Sequence, residues 1–242
     1  MFTEMTGPKK FVGLHAHSHF SVYDGLGYPS DHIDFVLQNG MNAWALTDHG
    51  NANGLAHARS HTAKLQKKGV DYRQLYGVEC YFVPSLKEWS IDYEAHKQAI
   101  IDAKNAAEAE KLSKTKVDID ADTDVEGSGG LVVEDENESK SLNVMDDEWK
   151  RRYHLVVIAR NRKGLANLFT MVKKSYKDGF YRYPRIDFDM LKQHGSDLIV
   201  STACLGGIYS NRILKGVAHG QSRDEIQREL SNLTDRFHQY IG

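Results

Sequence analysis

The chain has little cysteine, no long apolar run and no internal repeat, and each lack removes a class of protein. Its two cysteines among 242 residues, Cys80 and Cys204, stand far apart and outside any Cys-x-x-Cys pair. That excludes a disulfide framework and makes a reducing compartment the default. No apolar run approaches the ~18 residues of a membrane helix, so no membrane partner is expected. The opening MFTEMTGPKKFVG carries no apolar signal-peptide core, and the expected location is the cytoplasm. Net charge is also small, at −2, but the balance hides an asymmetry. Residues 115–148 carry a net −10, and the remainder is +8. A moderately basic body suits a polyanion such as nucleic acid, though charge alone is a weak pointer.

What is present is enough for a core. With 40% hydrophobic residues, the chain can build one large α/β domain or two small ones. KFVGLHAH alternates apolar and polar residues like a strand, and Pro29-Ser30-Asp31 opens a helix that Gly40 ends. MNAWALTDHG is a short apolar strand, followed by a helix that closes at Gly69. QLYGVECYFVP is a third strand, rich in β-branched and aromatic residues. Residues 92–114 are Ala/Lys/Glu-rich and expected to be helical. The acidic stretch 115–148, with GSGG at its centre, is expected to be a disordered insertion. YHLVVIAR then reads as a buried parallel strand, KGLANLFTMVKKSY as a helix and DLIVSTAC as another strand. The alternation predicts parallel strands near 11–16, 43–47, 76–82, 154–159 and 198–202 in one curved sheet, as a barrel or an open sheet.

Polar residues gather at the carboxyl ends of these strands: His15 and His17, Asp48 and His49, Glu79, Cys204. His154 is the exception, at the start of its strand. In a β/α barrel the strand ends build the active site. Imidazole and carboxylate together suit zinc, manganese or iron. Taken singly, each has a plainer use: Thr47-Asp48-His49-Gly50 is also a helix cap and turn, and a lone cysteine is more often a small buried hydrophobe. The other histidines, such as His57, His61 and His96, read as ordinary surface or core residues. Joint placement at strand ends is what favours a metal.

The blocks FVGLHAHSHFSVYDGL, ALTDHGNANG, YGVECYFVP, HLVVIARNRKGLANL, GFYRYPRIDFDML and LIVSTACLGGIYSNRIL, in that order, resemble the PHP (polymerase and histidinol phosphatase) domain. Within it they are most similar to the branch at the N-terminus of bacterial and phage DNA polymerase III alpha subunits. The resemblance implies a distorted seven-stranded β/α barrel over residues 1–242, with up to three divalent ions, zinc or manganese, at one end. Carried over by position, it implies His15, His17, Asp24, His49, Glu79, His154 and Cys204 as metal ligands. His19 falls where relatives carry aspartate and is left out. The family's last ligand motif lies on a strand beyond the helix that ends at Gly242, so the barrel is expected to lack its closing strand.

The activity implied is metal-dependent phosphoester hydrolysis of the 3′–5′ exonuclease type, active or vestigial, within a DNA-directed DNA polymerase that itself uses magnesium. Expected partners are DNA, the palm and fingers of the same polymerase, and a proofreading exonuclease subunit. Arg182, Arg185, Lys173 and Lys174 are candidate phosphate contacts, or else a solvated basic face. Two rival readings are a non-catalytic module that stabilises the polymerase and docks the proofreading partner, and, less favoured, a free-standing phosphoesterase.

Overall fold

The computed structural model describes residues 11–115 and 152–241. The acidic insertion expected at 115–148 thus lies, beyond Thr115, outside the described residues. The chain divides into two units, one of residues 1–86 with 151–242, the other of residues 87–150. The second unit is described here by one helix, α3 (Leu86–Thr115), whose middle is exposed on most sides and has no apolar stripe.

The first unit carries a six-stranded mixed sheet flanked by helices. Its strands are β1 (Ala43–Leu46), β2 (Arg73–Phe82), β3 (Tyr153–Ala159), β4 (Phe180–Tyr181), β5 (Tyr183–Ile186) and β6 (Leu198–Ser201). The helices are α1 (Pro29–Gln38), α2 (Asn53–Lys67), α4 (Arg162–Asp178), α5 (Phe188–His194), α6 (Ile208–Ala218) and α7 (Arg223–His238). The ten-residue β2 is the spine. One of its edges is shared along its length by β1 and by β5, both parallel to it, and the other is taken by β3. β6 lies beyond β3. Among the described residues the sheet does not close, and six strands stand where seven were expected.

Two sequence expectations are corrected. β3 runs antiparallel to β2, and β6 antiparallel to β3, so the sheet is mixed rather than parallel. An apolar run reports burial on both faces but not direction, and the long connection from 83 to 152 permits either. Residues 11–16 form no strand. They make one parallel bridge, Gly13 to Trp44, and Ala16 donates its N–H to Thr47 Oγ1 at 2.9 Å instead of to a ladder carbonyl.

The helices start and stop where local chemistry requires. Pro29 opens α1, Asn161 accepts from the Lys163 and Gly164 amides to cap α4, and Ser222 with Glu225 forms a capping box on α7. One face of the sheet packs Val78, Cys80 and Phe82 of β2 with Leu155 and Val157 of β3 against α4, α5 and α7. By strand alternation, Glu79, Tyr81 and His154 therefore point to the opposite face. Burial pushes the Cys80 thiol up to about 12, as befits a residue of this core. No helix among the described residues is long and apolar enough to cross a membrane.

Candidate metal centre

The strand directions explain why residues scattered from 15 to 204 meet. β1, β2 and β6 all point the same way, so His49 and Cys204, beyond the carboxyl ends of β1 and β6, share one end of the sheet with Glu79 in the carboxyl half of β2. β3 runs the other way, and His154 at its start is the register partner of Tyr81 near the end of β2. His154 looked exceptional in the sequence only because its strand is reversed.

Glu79 is the hub, 1% exposed. Its Oε2 lies 3.1 Å from His15 Nε2, 3.0 Å from His17 Nε2 and 3.0 Å from His49 Nδ1, and its Oε1 lies 3.0 Å from His154 Nδ1. His49 uses its other nitrogen on Asp24, at 2.9 Å, and Asp24 is also 3.8 Å from His17 Nε2. The rings pack on one another, His17 stacked on His49 with centroids 4.2 Å apart and His15 edge-on to His17. Three overlapping groups could each hold an ion: His15, His17, Glu79; then His17, Asp24, His49; then His49, Glu79, His154. Cys204 stands beside the last, its Sγ 3.4 Å from His154 Nδ1 and 3.9 Å from Glu79 Oε1.

Two atoms of this cluster are left unsatisfied. Glu79 Oε2 and His49 Nδ1 are buried with no hydrogen-bond partner among the described residues, although three imidazole nitrogens crowd that oxygen. A buried carboxylate oxygen crowded by imidazole nitrogens and left without a hydrogen-bond partner is what a cation satisfies, and these nitrogen and oxygen donors could hold a divalent metal ion. Burial works against ionising Glu79, but contacts from His154, His17 and His49 outweigh it and hold the carboxyl far below its usual range. For His49, burial pulls the other way, and Glu79 and Asp24 prevail and raise it. Burial first, then the Glu79 charge, raises the Cys204 thiol, with the Gly206 amide opposing.

A buried carboxylate behind the histidines organises them. Asp48 Oδ1 accepts from Ser18 N at 2.7 Å and from Ser21 Oγ at 2.8 Å, and Oδ2 accepts from Ser18 Oγ at 2.9 Å. Ser21 Oγ in turn accepts from the His49 amide at 3.0 Å and lies 3.4 Å from His17 Nδ1. The loop then returns over itself so tightly that a Cβ at Gly25 would strike the Ser18 carbonyl, which makes glycine mandatory next to Asp24. Ser18 and Ser21 drew no notice in the sequence. Their only signal was spacing, one and four residues after His17 on a turn rather than a strand.

His19, set aside from the sequence, does lie apart: its Nδ1 is 3.2 Å from the Gly27 carbonyl, and its ring packs on Phe20 and Tyr28. The four cationic candidates are dispersed. Lys173 is exposed on α4, and Lys174 pairs with Asp178 at 3.7 Å. Arg182 is exposed at the turn between β4 and β5, near the Tyr181 ring. Arg185 is 2% exposed and gives Nη1 to the Tyr181 and Tyr183 carbonyls at 2.7 and 3.1 Å. It is committed to the fold, which corrects its reading as a phosphate contact. A cavity of about 300 Å³ lies elsewhere, along β6, α6 and α7 on the Leu155 face, and none of the histidines of the cluster lines it.

The chain is similar to known proteins over most of its length. The model of the PHP domain family matches residues 13–242. The DNA polymerase III alpha subunit of Borreliella burgdorferi is 30% identical over 210 residues, covering 87% of this chain and 13% of that subunit. The corresponding subunits of Aquifex aeolicus and Deinococcus radiodurans are 28% and 25% identical over 83% and 86% of the chain, and 13% and 12% of the subunits. The chain thus spans about 13% of the length of the curated relatives it matches.

Proposed function

The chain belongs to the PHP domain family, and on that premise we propose that it is the PHP portion of a replicative DNA polymerase III alpha subunit, with a site for metal-dependent phosphodiester hydrolysis of the 3′–5′ exonuclease type. PHP domains are metal-dependent, and the observation that carries the reading is Glu79 Oε2, buried, unpartnered and crowded by three imidazoles. In this reading His15, His17 and Glu79 hold one ion, Asp24 with His17 and His49 a second, and His154 with His49 and Glu79 a third, Cys204 beside it. Zinc or manganese suits that donor set. Bound divalent ions supply a water nucleophile at neutral pH and offset the charge that develops on the phosphoryl oxygens.

The rest is work for the chain's own side chains. Glu79 stays ionised because its neighbours favour the charged form, and so keeps a fixed negative centre under the histidines. Asp48 and the two serines hold the His15–His17 loop and the His49 amide in register with it. Asp24, half exposed, is the ligand a substrate would meet first. Arg182 and Lys173, both exposed, supply sequence-independent attraction for DNA phosphates, and Lys174 adds to it only where a phosphate displaces Asp178. The proposed domain is 1–242, with 115–148 as an insertion. Its partners are DNA, the magnesium-dependent palm and fingers of the same polymerase, and a proofreading exonuclease subunit, in the cytoplasm of a bacterium or a phage-infected cell.

The test is elemental analysis of the purified chain beside a His15→Ala, His17→Ala double variant, followed by digestion of 3′-labelled single-stranded DNA with manganese, zinc or EDTA. The reading expects metal on the wild type, less on the variant, and EDTA-sensitive release of label. Equally little metal on both would leave a structural module in its place.

A further inference from the structure

The histidine cluster continues along the sheet into a wall of aromatic rings that ends in an arginine. On the face carrying Glu79, Tyr81 follows two residues later, its ring stacked at 5.8 Å from His49 and edge-on at 5.5 Å from His154. Tyr183 of β5 stands edge-on to Tyr81 at 4.9 Å, and the Arg152 guanidinium lies 4.1 Å over the Tyr183 ring. Arg152 precedes His154 by two residues, so strand alternation places both on this face. Gly50, next to His49, lets the wall close: a Cβ there would sit 2.9 Å from Pro184 Cγ and 3.1 Å from Tyr81 Cε2.

Arg152 is exposed, and among the described residues no ion pair takes up its charge, whereas Lys163 is bound to Asp197 and Lys174 to Asp178. A ring face orients a guanidinium by cation–π attraction while leaving its in-plane N–H edge open, and that edge matches the oxygens of a phosphate. The ring itself is held firmly. Arg182 turns the chain between β4 and β5 at φ +57, and the buried Arg185 ties the carbonyls on either side of it, those of Tyr181 and Tyr183. Burial, and after it the Arg152 charge, pushes Arg185 down to about 10, so the molecule maintains this turn at a cost.

Resting on the phosphoesterase reading above, we propose that Arg152, presented by Tyr183 and Tyr81, is a positioning residue that grips a phosphate of a single-stranded nucleic acid next to the one at the histidine cluster. Along this wall Tyr81 and Tyr183 stand between His154 and Arg152, which assigns Arg152 the neighbouring phosphate. A substrate with a single phosphate gives it no partner, and a polynucleotide does.

The experiment measures binding of a fluorescent single-stranded DNA 12-mer to the whole chain in EDTA, by anisotropy across a salt series, for wild type, Arg152→Ala, Arg152→Lys and Tyr183→Ala. Circular dichroism melts establish that each variant is folded. Arg152→Ala is expected to bind about tenfold more weakly, the loss of one charge-assisted contact. Its slope of log K against log salt should fall by about 0.7, the value for one single-strand phosphate. Arg152→Lys should restore the slope but only part of the affinity, because a point charge replaces a fork. Tyr183→Ala should weaken binding without changing the slope, since the charge remains but is no longer oriented. Unchanged affinity and slope in a folded Arg152→Ala would overturn the proposal, and the metal analysis of the His15/His17 variant would still stand. If the wild-type chain carries no metal as purified and releases no label, while its oligonucleotide affinity depends on Arg152, the hydrolytic reading fails and the arginine contact stands.

Discussion

Replacing Asp48 by alanine should cost the metal-free protein about 3 kcal/mol and also empty the site. Asp48 is 2% exposed and accepts from three donors, the Ser18 amide and the Ser18 and Ser21 hydroxyls. The hydroxyls can turn: Ser21 Oγ already has the His17 ring within reach at 3.4 Å. The Ser18 amide cannot turn, and Ser18 is fully buried, so its N–H is orphaned at roughly 1–3 kcal/mol, with about 1 kcal/mol more for the two weakened hydroxyl bonds. Because Ser18 follows His17 directly, a loop that shifts to rehydrate this amide carries the first two histidines away from Glu79. Urea unfolding in EDTA reads the stability, and elemental analysis of the folded protein reads the site. Asp48→Asn keeps a side-chain oxygen facing the Ser18 amide, so it should lose about 1 kcal/mol and hold most of its metal. If Asp48→Ala loses under about 1 kcal/mol and binds metal like wild type, Asp48 does not position the histidine loop.

Gly25→Ala places a methyl against the Ser18 carbonyl and should destabilise by about 1–3 kcal/mol in urea unfolding, with metal content falling in parallel. Leu155→Ala opens the other face of the sheet at a fully buried position, so a loss of about 2–5 kcal/mol should come with metal content unchanged while the chain is folded. In EDTA the cluster also makes stability depend on pH. Glu79 sits below its ordinary 4.5 in the fold, so its contribution is present above that pH and fades as pH falls further. His49 sits above its ordinary 6.5, so its contribution is full below that pH and is lost as pH rises through the folded value. Melting temperatures should therefore crest between 4.5 and 6.5, and a Glu79→Gln profile of the same shape would refute the assignment.

Much of the site was legible because its residue types are demanding. Two histidines in alternate positions, an Asp-His after a short apolar strand and a lone glutamate inside YGVECYF have few uses that do not involve a ligand, and all of them meet at one end of the sheet. Arginine is less demanding. Arg185 and Arg182 look alike in FYRYPRID, yet one is buried under two carbonyls and the other is exposed. The neighbours of Arg185 held the information: Pro184, Ile186 and Asp187 are all buried, so a charge among them serves the turn. Arg152 was passed over for the opposite reason, since its value comes from Tyr183, thirty-one residues away, and no local pattern links them.

Strand direction was the larger loss, and it was recoverable. YHLVVIA is buried in the same way whether it runs up or down, so its composition could not decide. The position of His154 could. If the site lies where strands end, a ligand at the start of a strand belongs there only if that strand is reversed. The register of Tyr81 with His154 is what that inference requires. Cys204 follows by the same logic: β6, reversed again relative to β3, delivers the third residue beyond its carboxyl end to the ring that β3 presents at its start. In a mixed sheet, the end of the strand on which a ligand sits is therefore information about topology as well as chemistry.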